Sequence, residues 1–346
     1  MTVAAPRQMM AAVCSGDGRV EVERVPVPEP SADEVLVEVA ACGICGSDLH
    51  LVFDRHVRPG AVLGHEWSGR VASEDPSGRW HPGDRVVSGP RPGCGRCRPC
   101  RRGRPSVCTR RVLSDIRDMR GAFAQFVTVS SATLTRIPDG LRLRQAALAE
   151  PVAIALHAVR LSGVVGEDRV LITGAGPVGL IITAVLRARG VTDITVVEPV
   201  EARRRRVEAI GATRTVEPGA LEAPAPGVAV PGAFAVAFEC SGRAAAAASA
   251  LDQLEAAGTL VFVGTGSEPV AVNHNRMIVL ELEALGAFNY DATGFGPALD
   301  LLEGGALPLD LLVEAGDVGL DGVMDAMGRL ARGELPAKVL VNPEVS

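Results

Sequence analysis

Residues 19–40 alternate apolar and polar side chains at a period of two, with Pro and Asp punctuating the run. That pattern predicts half-buried antiparallel strands. Short apolar runs at 68–73, 84–89 and 123–129 extend the prediction, separated by Pro/Gly turns at 81–84 and 137–140. At 146–163 the spacing becomes helical, and an alternation of elements follows: strand 169–176, helix 179–190, strand 193–199, a helix over RRRRVEAIGA, strand 233–242, a helix around 243–257 and strand 258–266. Strand–helix alternation implies a parallel sheet with right-handed crossovers. One connection breaks the rhythm. The stretch 218–233 carries several prolines and is expected to be a loop rather than a crossover helix. The tail adds a helix at 295–305 and a closing strand at 337–342, and the chain has no internal repeats.

At 346 residues the chain is long enough for two domains, and 47% hydrophobic residues suffice for substantial cores. The N-terminal stretch lacks a basic segment leading into a long apolar run, and no eighteen-residue stretch has the character of a membrane span. The expectation is a cytoplasmic protein with no membrane partner. A net charge of −6 argues against general nucleic-acid binding.

Four cysteines change the picture most. Cys94, Cys97, Cys100 and Cys108 form a C-x2-C-x2-C-x7-C segment inside a turn-rich lobe at 91–111. Thiolates so spaced can converge on one tetrahedral Zn²⁺ with no position left for substrate, which makes the site structural. Eight arginines lie between Arg91 and Arg111, whereas Lys338 is the only lysine in the chain. A lobe of that charge could touch phosphate, but a solvated lobe in an arginine-biased protein explains it more simply.

Gly174-Ala175-Gly176-Pro177-Val178-Gly179 lies where a predicted strand becomes a helix. The first glycine permits the turn, the second admits a pyrophosphate and the third packs helix on strand, with the helix dipole facing the anion. Glu198 closes the next strand, where a carboxylate accepts from ribose hydroxyls and repels a 2′-phosphate, so NAD is expected over NADP. Arg203 to Arg206 compete with that reading, but on a helix only one or two of them can face a nucleotide. Further potential ligands occur in Cys42–His50, Gly64-His65-Glu66 and Glu150-Pro151. A thiolate, an imidazole and a carboxylate make a mixed zinc set with a position left for water or substrate.

GICGSDLH, GHEWSGRV, the four-cysteine lobe, AEPVAIALHA, GAGPVG and FECSG stand in the order found in the zinc-containing medium-chain alcohol and polyol dehydrogenases, which the chain resembles over essentially its whole length. Glu150-Pro151 resembles the sorbitol and threonine dehydrogenase branch. The resemblance implies Cys45 as the zinc thiolate with Cys42 a bystander, His65 as the imidazole ligand, and Glu66 and Glu150 as carboxylates that bind zinc or hold its water. It implies that Asp48 orients the ligand histidine, that Ser47 and His50 relay the alcohol proton, and that Lys338 reaches the cofactor phosphates. A Lewis-acidic zinc then makes the alcohol acidic enough to give up its proton and donate hydride. A shorter span from Cys45 to His65 and the sequence Arg120–Phe126 depart from many relatives and leave the substrate open.

The resulting expectation is an α/β chain with a GroES-like β-barrel catalytic domain (1–151 and 289–346) and a Rossmann doubly wound parallel sheet (152–288). It would carry two zinc ions and NAD, and oxidise a secondary alcohol (polyol, sugar or cyclitol) to a ketone as a homodimer or homotetramer. Phe53, Trp67, Phe288 and Tyr290 are candidate pocket aromatics. A dehydrogenase of an apolar alcohol such as a terpenoid is the second reading, and a zinc-ribbon nucleic-acid binder a remote third.

Overall fold

The structure, a computed structural model, describes residues 6–89, 93–110, 119–225, 228–291 and 293–345. Arg91 and Arg111, at the ends of the cysteine lobe, and Pro226 and Gly227, in the proline-rich stretch, lie outside the described residues. The chain divides into two compact units. The first comprises Met1–Ala153, Tyr290–Gly305 and Val313–Ser346, and the second Ile154–Asn289 and Ala306–Leu312. The last of these segments was expected with the barrel. It joins the second unit because the turn Leu309–Leu312 packs on the helices Pro177–Ala188 and Glu201–Ile210, where Arg206 donates to the Leu311 carbonyl at 3.2 Å.

The first unit is antiparallel. Strands β1 (Gln8–Cys14) and β2 (Val20–Pro26) form a hairpin; β3 (Glu34–Gly43), β4 (Glu66–Val71), β5 (Arg85–Ser88), β6 (Phe126–Ser130) and β7 (Leu134–Arg136) make a second sheet. β3 is its centre: it pairs with β4, β6 and the C-terminal strand Leu340–Val341. That explains a departure from the simple alternation. β2 is mostly exposed, whereas β3 is buried along most of its length because neighbours cover it. Trp67, Trp80 and Phe123 fill the core, joined by Val323, Ala326, Met327 and Leu330 from the helix Val323–Ala331.

The second unit carries a parallel sheet of β8 (Arg169–Thr173), β9 (Asp193–Val197), β10 (Arg214–Val216), β11 (Phe234–Glu239), β12 (Leu254–Phe262) and β13 (Glu283–Gly286). Its order, β10-β9-β8-β11-β12-β13, reverses between β8 and β11, the arrangement of a Rossmann sheet. β8 is central and buried almost throughout, as a strand with both faces covered must be. No helix intervenes between β10 and β11 among the described residues, as the prolines require. The helix expected around 243–257 stops at Asp252, and β12 begins at Leu254, with Ala257 in the left-handed region at φ 62°. No described helix is long and apolar enough to cross a membrane.

Candidate active site

β3 and β4 run antiparallel with Gly43 opposite Glu66, so the chain leaving β3 passes beside the chain entering β4. The Ile44 amide ties this exit to the Val339 carbonyl at 3.0 Å. Cys45 then caps the helix Gly46–Phe53, with Asp48 Oδ2 accepting from the Cys45 amide at 2.9 Å. This register gathers Cys45, His65 and Glu66: their ligand atoms lie within 4.8 Å of one another. Sulfur, nitrogen and oxygen donors at that separation fit one zinc ion.

Asp48, fully buried, serves twice. Besides capping the helix, its Oδ1 stands 3.5 Å from His65 Nδ1 and orients the ring. Burial works against the charged imidazole, but Asp48 and Cys45 outweigh it and hold the His65 pKa well above its ordinary value. The same anionic field favours a bound cation. Cys42 is different: it is fully buried, its thiol pushed well up by desolvation and then by Asp48 and Glu66, and it is not in the cluster.

Lys338 is buried beside the cluster. It is 1% exposed, and its ammonium donates to the Ile44 carbonyl at 3.0 Å and to Glu66 Oε1 at 2.7 Å, with Oε2 also 2.7 Å away. Those partners occupy it inside the first unit, so it is a buried cation rather than a surface one. Burial lowers its pKa, and Glu66 more than restores it. The signal that could have led here was its being the only lysine in the chain. Glu150, in the first turn of the helix Ala149–Ser162, is 7% exposed and does not join the three clustered ligands. Desolvation pushes its pKa up to about 7; His65 opposes the shift and Glu66 adds to it.

Ser47 and His50 stand three residues apart on the helix Gly46–Phe53 and thus on one face, Ser47 half-buried and His50 exposed. Asp54, which the sequence reading did not single out, lies 3.3 Å from His50 Nδ1. Of the candidate pocket aromatics, Trp67 belongs to the barrel core at 6% exposure, and Tyr290 stacks edge-on against Phe295 at 4.8 Å. Phe53 and Phe288 are exposed.

In the cysteine lobe, the sulfurs of Cys94, Cys97, Cys100 and Cys108 also lie within 4.8 Å of one another, with Cys97 and Cys108 at 3.8 Å. Tetrahedral zinc with bonds of about 2.3 Å requires sulfurs about 3.8 Å apart, so the lobe fits the ion. Backbone amides prepare the thiolates: the N–H of Cys100 is the chief cause drawing Cys97 down to about 6, and that of Cys94 chiefly lowers Cys108. Desolvation pushes Cys100 up to about 12, a proton that a dication would displace. All the described cysteines are free thiols.

In the second unit, Gly174 adopts φ 94° at the end of β8, and Gly176 caps the helix Pro177–Ala188 with Pro177 in its first turn and Val178 beside it. A side chain at Gly179 would strike the Gly174 carbonyl, whereas the space beside Gly176 is open. Helix amides over an open glycine suit a pyrophosphate. Glu198, 3% exposed, accepts from Ala175 N at 2.8 Å through Oε2 and from Val200 N at 2.9 Å through Oε1. It therefore braces the glycine turn as well as standing at the end of β9. Of the arginine run, Arg204 bonds the Glu198 and Pro199 carbonyls and Glu217, Arg205 pairs with Glu201, and Arg206 holds Leu311. Arg203 lies half-buried on the same helix.

A dinucleotide turn and a thiol–imidazole–carboxylate cluster in one chain are the equipment of a metal-dependent oxidoreductase. Residues 31–139 match the alcohol dehydrogenase GroES-like domain and residues 177–304 the zinc-binding dehydrogenase domain. The chain is 32% identical to a sorbitol dehydrogenase of Bacillus subtilis (strain 168) over 99% of both, and 33% identical to an L-threonine 3-dehydrogenase of Xanthomonas euvesicatoria pv. vesicatoria (strain 85-10) over 77% of this chain and 80% of that one. Among solved structures, a zinc-binding dehydrogenase from Sinorhizobium meliloti 1021, bound to NADP, superposes with a TM-score of 0.84 at 34% identity, covering 98% of this chain and all of that one. The chain belongs to the zinc-containing medium-chain dehydrogenase family. Membership brings zinc, a nicotinamide cofactor and a small-molecule alcohol substrate.

Proposed function

We propose that the protein oxidises a secondary alcohol, a polyol, sugar or cyclitol, to the ketone with NAD. The observation that carries the reading is the Cys45–His65–Glu66 cluster, three dissimilar donors within 4.8 Å. When bound, zinc supplies Lewis acidity to the hydroxyl and the nicotinamide accepts the hydride. Cys45, His65 and Glu66 hold the ion, with Glu150 the further carboxylate beside them. Asp48 fixes the His65 ring, Lys338 fixes Glu66, and Ser47 takes the hydroxyl proton for His50 to release to water. A second ion sits in the four-thiol lobe. The likeness to sorbitol dehydrogenase supports the polyol class, and Glu198 at the end of β9 supports NAD. Reduced thiols suit a cytoplasmic enzyme.

The test is a panel of polyols, sugars, cyclitols and terpenoid alcohols, each with NAD and with NADP, followed by reduced-nicotinamide absorbance. Turnover of a hydroxylated substrate with NAD is the expected result. Activity confined to apolar alcohols overturns the substrate class, and equal use of NADP overturns the role given to Glu198.

Replacing His50 by Gln should slow oxidation most at low pH, where hydroxide cannot take over, and by no more than about 10²–10⁴-fold, the usual range of general acid–base catalysis. A small exogenous base should restore part of the rate. An unchanged pH–rate profile would assign the proton to another path.

We also propose a homodimer or a tetramer of such dimers. β13 is the edge strand of the parallel sheet, and Ile278 and Val279, in the helix His274–Val279 that precedes it in the chain, are 69% and 63% exposed. Sedimentation as a monomer at assay concentrations would refute this.

A further inference from the structure

Glu239 ends β11 and is 2% exposed, yet the chemistry above gives it no part. Its Oε1 alone accepts three hydrogen bonds, from Ser241 N at 2.7 Å, Ser241 Oγ at 2.5 Å and Gly242 N at 3.0 Å. Bonds to a carboxylate are stronger than neutral ones, so these three fix the loop after β11 in one conformation.

That loop lies against the glycine turn. Glu239 is in register with Thr173, the residue before Gly174, and the Cys240 amide donates to the Thr173 carbonyl at 2.8 Å. A side chain at Gly174 would come within 3.0 Å of Ser241 Cβ and N. On its other side, the loop meets the one after β12 without side chains between them: a Cβ on Gly242 would strike the Thr265 carbonyl, and one on Gly266 the Gly242 carbonyl. β8 and β11 are the neighbours between which the strand order reverses, the crevice where open α/β sheets take their ligands.

We propose that Glu239 is a positioning residue for the dinucleotide: it gathers the three donors of Ser241 and Gly242 so that Ser241 buttresses Gly174 and holds the turn in its ligand-binding conformation. Glu198 braces the same turn at Ala175 N. The turn is thus held by carboxylate-braced loops at consecutive residues, 174 and 175. The inference rests on the nicotinamide reading of this turn.

The experiment is titration of the zinc-loaded full-length protein with NADH and NADPH, read by nicotinamide fluorescence, alongside steady-state kinetics. Glu239→Ala leaves the loop donors unpaired and should raise the NADH Kd by about 10-fold or more, with kcat at saturating cofactor changing less than KM. Glu239→Gln keeps an acceptor oxygen and should stay within about threefold of the parent. An alanine variant that retains its zinc, its circular dichroism and the parent's NADH affinity overturns the proposal. If that variant does not fold, Ser241→Ala decides: removing one of the three bonds should raise Kd by about threefold, and an unchanged Kd overturns the proposal. Failure of the unmutated protein to bind either nucleotide would instead bring down the cofactor reading itself.

Discussion

Cys45→Ser and His65→Ala are each expected to lower turnover by about 10³-fold or more while NADH binding survives. A Lewis acid at the reacting oxygen contributes several kcal/mol of charge stabilisation, and each 1.36 kcal/mol is a factor of ten in rate. The nucleotide turn is built from β8 and the helix Pro177–Ala188, whereas the clustered ligands come from the exit of β3 and the entry of β4, so loss of one leaves the other's local structure intact. Metal analysis sharpens the test. The parent should hold about two zinc ions, one released readily by chelators and one retained in the lobe, and the two variants should lose only the labile ion. Cys42→Ser should be nearly silent, because that thiol lies in the barrel core outside the cluster. A single class of zinc, or an indispensable Cys42, would remove the basis for the catalytic assignment.

The parts of this molecule that were legible in sequence are those in which local pattern and tertiary role agree. The run 169–199 reads as strand, glycine turn, helix and strand because buried parallel strands are uniformly apolar and the turn needs its glycines wherever the rest of the chain goes. The convergence of the lobe cysteines was equally legible, since fifteen residues contain all four thiols. Cys45, His65 and Glu66 were not derivable from spacing. They meet through the β3–β4 register, and only the family resemblance singled them out. The burial of Lys338 was illegible for the same reason. Its partner Glu66 lies 272 residues away, and nothing local distinguishes a lysine on a surface from one buried under a sheet. The end of β12 nearest its start was blurred because Ala257 breaks the strand's regularity. β2 illustrates the converse: a strong alternation predicted half-burial, but its hairpin partner β1 takes the inward positions and leaves β2 largely in solvent.

Lys338→Met should destabilise the first unit by about 3–5 kcal/mol, the cost of removing one member of a buried ion pair, and lower its melting midpoint by about 6–20 °C. The side chain's volume is nearly conserved, so the loss is chiefly electrostatic and is to be measured on chelator-treated, zinc-free protein, where Glu66, 1% exposed, keeps a charge with no counter-ion of its own. Adding Glu66→Gln to Lys338→Met should recover much of the loss, because the uncompensated charge disappears. The coupling between the two positions should therefore be strongly non-additive. A cofactor measurement separates this from the phosphate-binding role that the sequence alone suggested. Held by Glu66 and the Ile44 carbonyl, Lys338 should contribute nothing direct to nucleotide affinity, and Lys338→Met protein kept below its melting range should bind NADH as the parent does. A fall in NADH affinity with stability unchanged would reverse the assignment and return the ammonium to the cofactor.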